Sequence, residues 1–154
     1  MRHCNERTSA WPRGRRERHA ARPEAFVDGR PDAFLAWWTR SEDVSLAGGR
    51  GGPIARGRAA VRARLERVSA MYGDTPYDTS FSSERVHACA GRDVAYVVQH
   101  ERFRFSKRAG APPTPASETP PDQVYRATMT FRREQGGWRV THRHADHVSD
   151  DRSA

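Results

Sequence analysis

The chain has 154 residues, of which 36% are hydrophobic and 30% charged, and its formal net charge is +8. This length suits one domain with a real hydrophobic core, and no apolar run approaches the roughly 20 residues that cross a membrane. The N-terminus is basic but has no apolar segment behind it, so we expect no secretory signal and a cytoplasmic protein.

Much of the positive charge lies in the first 22 residues, which contain seven arginines and two glutamates. Basic tails of this kind bind nucleic acid or acidic partners in some proteins. The composition of residues 1–20 instead favours a solvated, disordered extension, and residues 148–154 have the same character. We therefore expect a folded domain over residues 21–147, and nucleic-acid binding is the weaker interpretation.

The predicted elements begin with three helices and one short strand. A first helix covers residues 16–28, and a second begins at Pro31-Asp32, where proline and an acid favour a helix N-terminus. A strand follows at about residues 43–46, and the glycine-rich segment 47–57 predicts a loop. From Arg58 onwards apolar residues recur at spacings of three and four, which predicts an amphipathic third helix.

The remainder of the chain predicts four strands. Segments with alternating or β-branched and aromatic residues occur at 77–88, 94–105, 124–132 and 138–144. The proline-rich segment 106–121 predicts a loop, and Glu134-Gln135-Gly136-Gly137 predicts the turn of the final hairpin. Helices followed by a four-strand meander predict the α+β class, with a curved antiparallel sheet packed against three N-terminal helices around a conical cavity.

Strand alternation suggests which side chains meet in that cavity. On the last strand one face carries Trp138, Val140, His142 and His144. On the strand before it, one face carries Tyr125, Ala127, Met129 and Phe131. Both faces of segment 94–105 are partly apolar, and we favour the face with Tyr96 and His100 as the inward one.

His142 and His144 are the candidate catalytic residues. An imidazole acts as a general acid or base near neutral pH when a partner orients it, and the possible partners are Asp43, Tyr96, His100 and Asp146. The alternative is that both histidines are hydrogen-bonded in a polar part of the cavity wall and have no catalytic role. A His-x-His pair on a strand can also hold a metal ion, but no third ligand is evident, so we expect no metal and no other cofactor.

The predicted ligand contacts are aromatic and polar side chains of the same cavity: Trp38, Tyr96, His100, Tyr125, Met129 and Trp138. Trp37 and Trp38 are adjacent, so on a helix they point roughly 100° apart. We therefore expect at least one of them in the core and place the other at the cavity mouth.

Three parts of the chain resemble one family. They are the segment Asp32-Ala33-Phe34-Leu35-Ala36-Trp37-Trp38, the stretch from Gly52-Pro53 to Gly57, and above all the final hairpin up to His142-Arg143-His144. The family is the nuclear transport factor 2-like superfamily, and more closely its SnoaL-like group of ketosteroid-isomerase-related proteins. The resemblance covers roughly residues 20–147. It implies a cone-shaped, cystatin-like fold and commonly a homodimer built through the outer sheet face. Members range from isomerases and cyclases to proteins without catalytic activity, so the fold leaves the function open.

The chain departs from the isomerase pattern at two positions. By that resemblance the catalytic aspartate would fall near Gly48 and the oxyanion-hole tyrosine near Arg22, so steroid isomerisation is not expected. We expect binding of a small, partly apolar organic molecule in the cone. One alternative adds metal-free acid–base catalysis through His142 or His144, of the isomerase, cyclase or hydrolase kind. The other is a non-catalytic dimerisation or regulatory module with a filled cavity.

Overall fold

The structure is a computed structural model, and it describes residues 23–49, 52–111 and 120–148. Its elements in chain order are α1 (Pro23–Val27), α2 (Asp32–Leu35), β1 (Ser45–Gly48), β2 (Ala55–Arg56), α3 (Arg58–Gly73), β3 (Tyr77–Ala90), β4 (Val94–Lys107), β5 (Gln123–Glu134) and β6 (Gly137–His147). This order confirms the predicted α+β class, with the long strands last. The predicted tail at residues 1–20 lies outside the described residues, as does most of the tail at 148–154, so the domain boundaries stay a prediction.

The six strands form one curved, unclosed sheet in the order β2-β1-β6-β5-β4-β3. All neighbouring strands are antiparallel except β1, which runs parallel to β6. The predicted final hairpin is confirmed: Glu134 pairs with Gly137, and Gly136 in the turn has a φ of 89°, a value that glycine adopts without strain.

The segment predicted as a loop at residues 47–57 contains more regular structure than expected. β1 continues to Gly48, and β2 returns antiparallel to it, with Leu46 opposite Ala55. Gly48 has a φ of 82°, and a Cβ on it would lie 1.7 Å from the carbonyl oxygen of Ala145 on β6. Only glycine therefore allows the chain to leave β1 this close to β6.

Trp37 and Trp38 do not lie on a helix, contrary to our expectation. α2 ends at Leu35, and Trp38 forms an isolated parallel bridge with Val140 of β6. The amide of Thr39 donates to the carbonyl of Val140 at 2.9 Å, and the amide of Val140 donates to the carbonyl of Trp37 at 2.9 Å. These backbone bonds hold the two tryptophans against the centre of the sheet.

The helices pack on the concave face of the sheet through two groups of buried apolar residues. In one group Val61 and Leu65 of α3 meet Val97, Phe131 and Val140 of the sheet. The predicted spacing on α3 is thus confirmed at Val61 and Leu65, which are buried together with Ser69. The second group lies towards the other end of β4 and β5 and contains Val27, Phe103, Tyr125, Ala127 and Ala145. Between these groups the concave face remains partly uncovered.

An ion-pair network holds the segment before β1 against the β5–β6 hairpin. The guanidinium of Arg132 donates to both carboxylate oxygens of Asp43, at 2.5 and 3.1 Å, and to Glu134 at 3.0 Å. The hydroxyl of Thr39 also donates to Glu134. The Arg132 hydrogen bond holds the pKa of Asp43 well below its usual range. Within the described ranges, no helix is long and apolar enough to cross a membrane.

Candidate functional site

Two adjoining pockets lie between the concave sheet face and the helices. The first, which we call the α3 pocket, has a volume of about 470 Å³ and is bordered by α3 and by β3–β6. The second, the Trp37 pocket, has a volume of about 430 Å³ and lies against Trp37 and the middle of the sheet. Phe34, Phe81 and Glu101 border both pockets. The two pockets together are the cavity.

The inward face of β4 is the opposite of the one we favoured. Ala95, Val97, Glu101 and Phe103 are buried, whereas His100 and Arg102 are exposed. Val97, Gln99, Glu101 and Phe103 border the pockets, and Tyr96 and His100 do not. The prediction that the face with Tyr96 and His100 is the inward one was therefore wrong, and the structure does not bring these two residues to the cavity. Both faces of this strand carry apolar residues, and only packing against the helices selects between them.

A β-bulge on β6 changes the side of the sheet on which the two candidate histidines lie. Phe131 of β5 pairs with Val140, but Thr130 pairs with His142, so Thr141 is an extra residue on β6. The bulge inverts the alternation beyond Val140. Arg143 consequently borders the α3 pocket and Ala145 is buried. The expectation that His142 and His144 share the cavity face of Val140 was therefore wrong.

His142 and His144 lie on the convex face of the sheet. The Nδ1 atom of His142 is 2.8 Å from the Oγ atom of Ser45 on β1. Burial, and secondarily the charge of His144, lower the pKa of His142 below its usual value. On the same face the hydroxyl of Tyr96 is 3.0 Å from Nε2 of His87. A catalytic role for the two histidines stays a prediction, and the structure does not bring them to the cavity.

The four remaining predicted ligand contacts divide into two groups. Tyr125 borders the α3 pocket and Met129 borders the Trp37 pocket, and both share the inward face of β5 as predicted. Trp38 is buried in the core instead, and its neighbour Trp37 borders the cavity. Trp138 packs at the edge of the same core, with the Arg133 guanidinium 5.0 Å above its ring.

The polar centre of the cavity is an ion pair that the sequence analysis missed. Glu101 on β4 is only 4% exposed, and it accepts a short hydrogen bond from the guanidinium of Arg143 on β6. The amide nitrogen of Gln99 also donates to Glu101, at 2.9 Å. The two strands are separated by β5, so the pair spans the concave face. A buried carboxylate is stabilised by such charge-assisted hydrogen bonds.

Sequence signals for this pair were weak but present. Gln99 and Glu101 lie on a strand face that also carries Ala95, Val97 and Phe103, and a carboxylate among apolar residues indicates a buried, paired charge. Arg143 could not be found by the same route, because the bulge at Thr141 has no local signature and strict alternation puts Arg143 on the opposite face.

No metal centre is apparent in the part of the chain that the structure describes. That part contains no group of three or more histidine, cysteine, aspartate or glutamate side chains placed to hold an ion. The chemical groups that border the cavity are aromatic rings, aliphatic side chains, hydroxyl and amide groups, the Glu101 carboxylate and several arginines.

Comparison with known protein families gives a match to the SnoaL-like domain over residues 19–147. No curated protein matches the chain. A solved structure from Streptomyces avermitilis, provisionally described as a dehydratase of the NTF2-like family, is 27% identical. It covers 82% of this chain and 88% of its own, with a TM-score of 0.61.

Two further solved structures share the fold at lower identity. An NTF2-like protein with a cystatin-like fold from Novosphingobium aromaticivorans is 20% identical, with a TM-score of 0.59 over 90% of this chain and 86% of its own. A structure from Parabacteroides distasonis, provisionally described as a ketosteroid isomerase, is 16% identical, with a TM-score of 0.58 over 83% of each chain. The family match covers most of the sequence, and the resemblance seen in its motifs is confirmed. The chain belongs to the SnoaL-like domain family, with the fold of the nuclear transport factor 2-like superfamily.

Proposed function

We propose that this domain binds a small, partly apolar organic molecule in the cavity. The observation that carries the proposal is the α3 pocket, whose volume of about 470 Å³ falls within the roughly 300–1,000 Å³ of small-molecule sites. Its lining combines many aromatic and aliphatic side chains with a few polar groups, among them Glu101 and Arg143. Such a lining supplies apolar contact area and a small number of orienting hydrogen bonds.

The open volume supports ligand binding over a module with a filled cavity. In a module with a filled cavity, bulky side chains from α3 and the sheet would occupy the interior. In this structure the side chains of α3 and the sheet line an open volume. Tyr72 of α3 stacks on Phe103 of β4 with ring centroids 5.5 Å apart. These rings form a wall of the α3 pocket and leave its interior open.

Binding of N-phenyl-1-naphthylamine, a neutral dye that fluoresces in apolar surroundings, tests the proposal. We expect saturable binding to the wild type at a stoichiometry of about one dye per chain. Val68 borders the α3 pocket, so Val68→Trp should fill the pocket and reduce dye affinity by at least about tenfold, which is the loss of roughly 1.4 kcal/mol.

Ala63→Trp is the matched control for this substitution. Ala63 lies on the exposed side of α3, so the same indole is added to the same helix without entering the pocket, and dye binding should persist. Equal loss of binding in both variants, or no saturable binding to the wild type, would overturn the proposed function. Native mass spectrometry of freshly purified protein would identify a molecule retained from the cell.

A second candidate function, proton transfer on the bound molecule, is supported by Glu101. It is the only carboxylate among the described residues that border the cavity. A carboxylate in an apolar site suits general acid–base catalysis of the isomerase, cyclase or hydrolase kind. Glu101 also lies where a ligand can reach it, whereas the two predicted histidines lie on the convex face.

A substitution that separates binding from catalysis tests this second candidate. Glu101→Gln keeps the shape and the hydrogen-bonding capacity of the side chain but cannot accept a proton as a carboxylate does. We expect the variant to bind the naphthylamine dye as the wild type does. With a ligand identified by native mass spectrometry, turnover should disappear in Glu101→Gln. Unchanged turnover would exclude Glu101 as the acid–base group.

We also propose that the convex sheet face forms a homodimer. Val98, Thr128 and Thr130 lie near the middle of this face, are partly exposed and carry no charge. Short β-branched side chains make a flat surface that a second copy can cover. Light scattering on a size-exclusion column should give the mass of two chains for the wild type and of one chain for Thr128→Glu. A monomeric wild type would contradict the proposal.

A further inference from the structure

Four polar side chains form a patch on the otherwise apolar wall of the Trp37 pocket. They are Ser83 and Arg85 of β3 and Gln99 and Glu101 of β4, and we call them the polar patch. In the antiparallel pairing Ser83 lies opposite Glu101 and Arg85 lies opposite Gln99. The four side chains therefore occupy two neighbouring cross-strand pairs on the concave face.

The charged groups around the cavity are mostly positive. The described residues that border the two pockets include four arginines and one glutamate, which leaves a formal surplus of three positive charges: Arg64, Arg67, Arg85, Arg143 and Glu101. A cavity with this surplus favours anions over neutral or cationic molecules.

The arginines differ in how their guanidinium groups are used. Arg143 is paired with Glu101, and Arg64 donates to the carbonyl oxygens of Pro53 and Gly48 at 2.7 and 2.8 Å. Within the described residues, the side chain of Arg85 has no hydrogen bond and no ion pair. Arg85 is therefore available to a ligand at the edge of the Trp37 pocket.

A β-bulge directly after Arg85 changes which side chains of β3 point inward beyond it. Arg85 pairs with Gln99 while His87 pairs with Val98, so Val86 is the extra residue. Without the bulge the inward side chains would continue at His87. Instead His87 bonds Tyr96 on the convex face, and Arg85 is the last polar inward residue of β3. Bulges commonly re-aim side chains next to functional sites.

We infer that the molecule bound in the cavity is a carboxylate, with its charged end between Arg85 and Gln99 and its apolar body against Phe34, Trp37 and Met129. This inference rests on the proposed function and names the ligand class. A guanidinium binds a carboxylate through two parallel N–H···O bonds. The Gln99 amide nitrogen has two hydrogens, and one of them is used by Glu101, so the second can donate to the ligand.

Glu101 does not oppose the binding of an anion nearby. Its charge is matched by the short hydrogen bond from Arg143, and Gln99 donates to it as well. The Arg143–Glu101 pair is electrically neutral as a unit, so Arg85 retains a full positive charge towards the pocket. The hydrogen bond to Glu101 also holds the amide group of Gln99, whose position on β4 is opposite Arg85.

Competition with the naphthylamine dye measures this preference with matched pairs of probes. The pairs are 2-naphthoate with 2-naphthamide and octanoate with octanamide, each a carboxylate and a neutral amide of nearly equal shape. At neutral pH we expect each carboxylate to displace the dye at a concentration at least about tenfold lower than its amide. Added salt should reduce this ratio because it screens the exposed guanidinium.

In Arg85→Gln, the concentrations at which the carboxylate and its amide displace the dye should agree to within about twofold. Arg85→Lys should retain part of the preference for the carboxylate. Arg102→Gln is the matched control, because Arg102 is an exposed arginine on the convex face of the same sheet, and it should keep the wild-type ratio. Persistence of the ratio in Arg85→Gln would overturn the inference.

Equal binding of acid and amide to the wild type, or failure of all four probes to displace the dye, would overturn the inference and leave the proposed function intact, because the dye itself would still bind. Failure of the dye itself to bind would overturn the proposed function, and the inference with it. The two failures are therefore distinguished in one experiment. Loss of the carboxylate preference in Arg102→Gln as well as in Arg85→Gln would indicate a non-specific effect of charge and contradict the assignment to Arg85.

Discussion

Removal of the Arg143 guanidinium should destabilise the fold, because it leaves the carboxylate of Glu101 buried without a counter-charge. The side chain of Glu101 is 6% exposed and that of Arg143 is 16% exposed. The perturbation is Arg143→Met, which keeps most of the apolar volume of the arginine stem and removes only the charged end.

The size of the effect follows from the burial of the pair. Breaking a buried ion pair by removing one partner costs about 3–5 kcal/mol. Arg143 borders an open pocket, and Glu101 keeps its hydrogen bond from Gln99, so we expect the lower end, about 3 kcal/mol. That is roughly a hundredfold in the unfolding equilibrium, a large part of the stability of a typical domain.

The assay is urea unfolding followed by tryptophan fluorescence on a double-mutant cycle. The cycle contains the wild type, Arg143→Met, Glu101→Gln and the double variant. We expect Glu101→Gln to cost less than Arg143→Met, because the Arg143 guanidinium that it leaves without a counter-charge borders the open pocket and is more exposed, at 16%, than the side chain of Glu101, at 6%. The double variant should be more stable than the sum of the two single effects predicts, by at least about 1.5 kcal/mol.

Two results would refute this reasoning. If Arg143→Met changed the free energy of unfolding by less than about 0.5 kcal/mol, Glu101 would not depend on Arg143. If the two single effects were additive, the residues would not be coupled. Arg102→Met provides the control, since it removes an exposed arginine from the convex face and should change stability little.

Three further predictions concern the positions that shape the fold. Gly48→Ala should lower the free energy of unfolding by at least about 3 kcal/mol, because the new Cβ would overlap a carbonyl oxygen of β6. Gly49 has a φ of 80° and open space around it, so Gly49→Ala should cost only about 1–2 kcal/mol, from backbone strain alone. Arg132→Met should have a lower free energy of unfolding than the wild type at neutral pH. This difference in stability should shrink as the pH falls below 3.8, the usual pKa of Asp43. The reason is that the pKa of Asp43 is lowered only in the folded wild type. NMR titration should give His142 a pKa below the usual 6.5, since burial disfavours its charged form.

Each of these predictions has a result that would contradict it. Similar costs for the two glycine substitutions would show that β1 does not approach β6 closely at Gly48. A constant stability difference across the acid range would mean that Arg132 does not lower the pKa of Asp43. A pKa of His142 at or above 6.5 would mean that the imidazole is not shielded from solvent on the convex face.

The hairpin and the third helix were predictable because their signals are local. Gly136 and Gly137 lie between two segments rich in β-branched and aromatic residues, which specifies a turn between two strands. The spacing of Val61 and Leu65 specifies a helix with one buried side. These features depend on φ and ψ preferences and on the hydrophobicity of neighbours along the chain. The parallel pairing of β1 with β6 had no such signal, since it joins residues almost one hundred positions apart.

The site was predicted only in part because its side chains are selected by pairing between distant strands. Tyr125 and Met129 follow an uninterrupted alternation on β5, so their position at the cavity wall was predictable. Because of the bulge at Thr141, Arg143 lies at the cavity wall in place of His142 and His144. The residues around Thr141 contain no sequence signal that predicts this bulge. A bulge is an extra residue on one strand relative to its partner, so here it is defined only by the pairing of β6 with β5.

The amino-acid sequence by itself determined the α+β class, the third helix, the four long strands and the inward face of β5, because these follow from propensity and periodicity within single segments. Only the tertiary structure decided that β4 turns Glu101 inward and that β6 presents Arg143 to it. Which face of a two-sided strand is buried, and where an extra residue is inserted, depend on the helices and strands packed against it. The ion pair across the cavity results from the inward orientation of this face of β4 and from the bulge on β6.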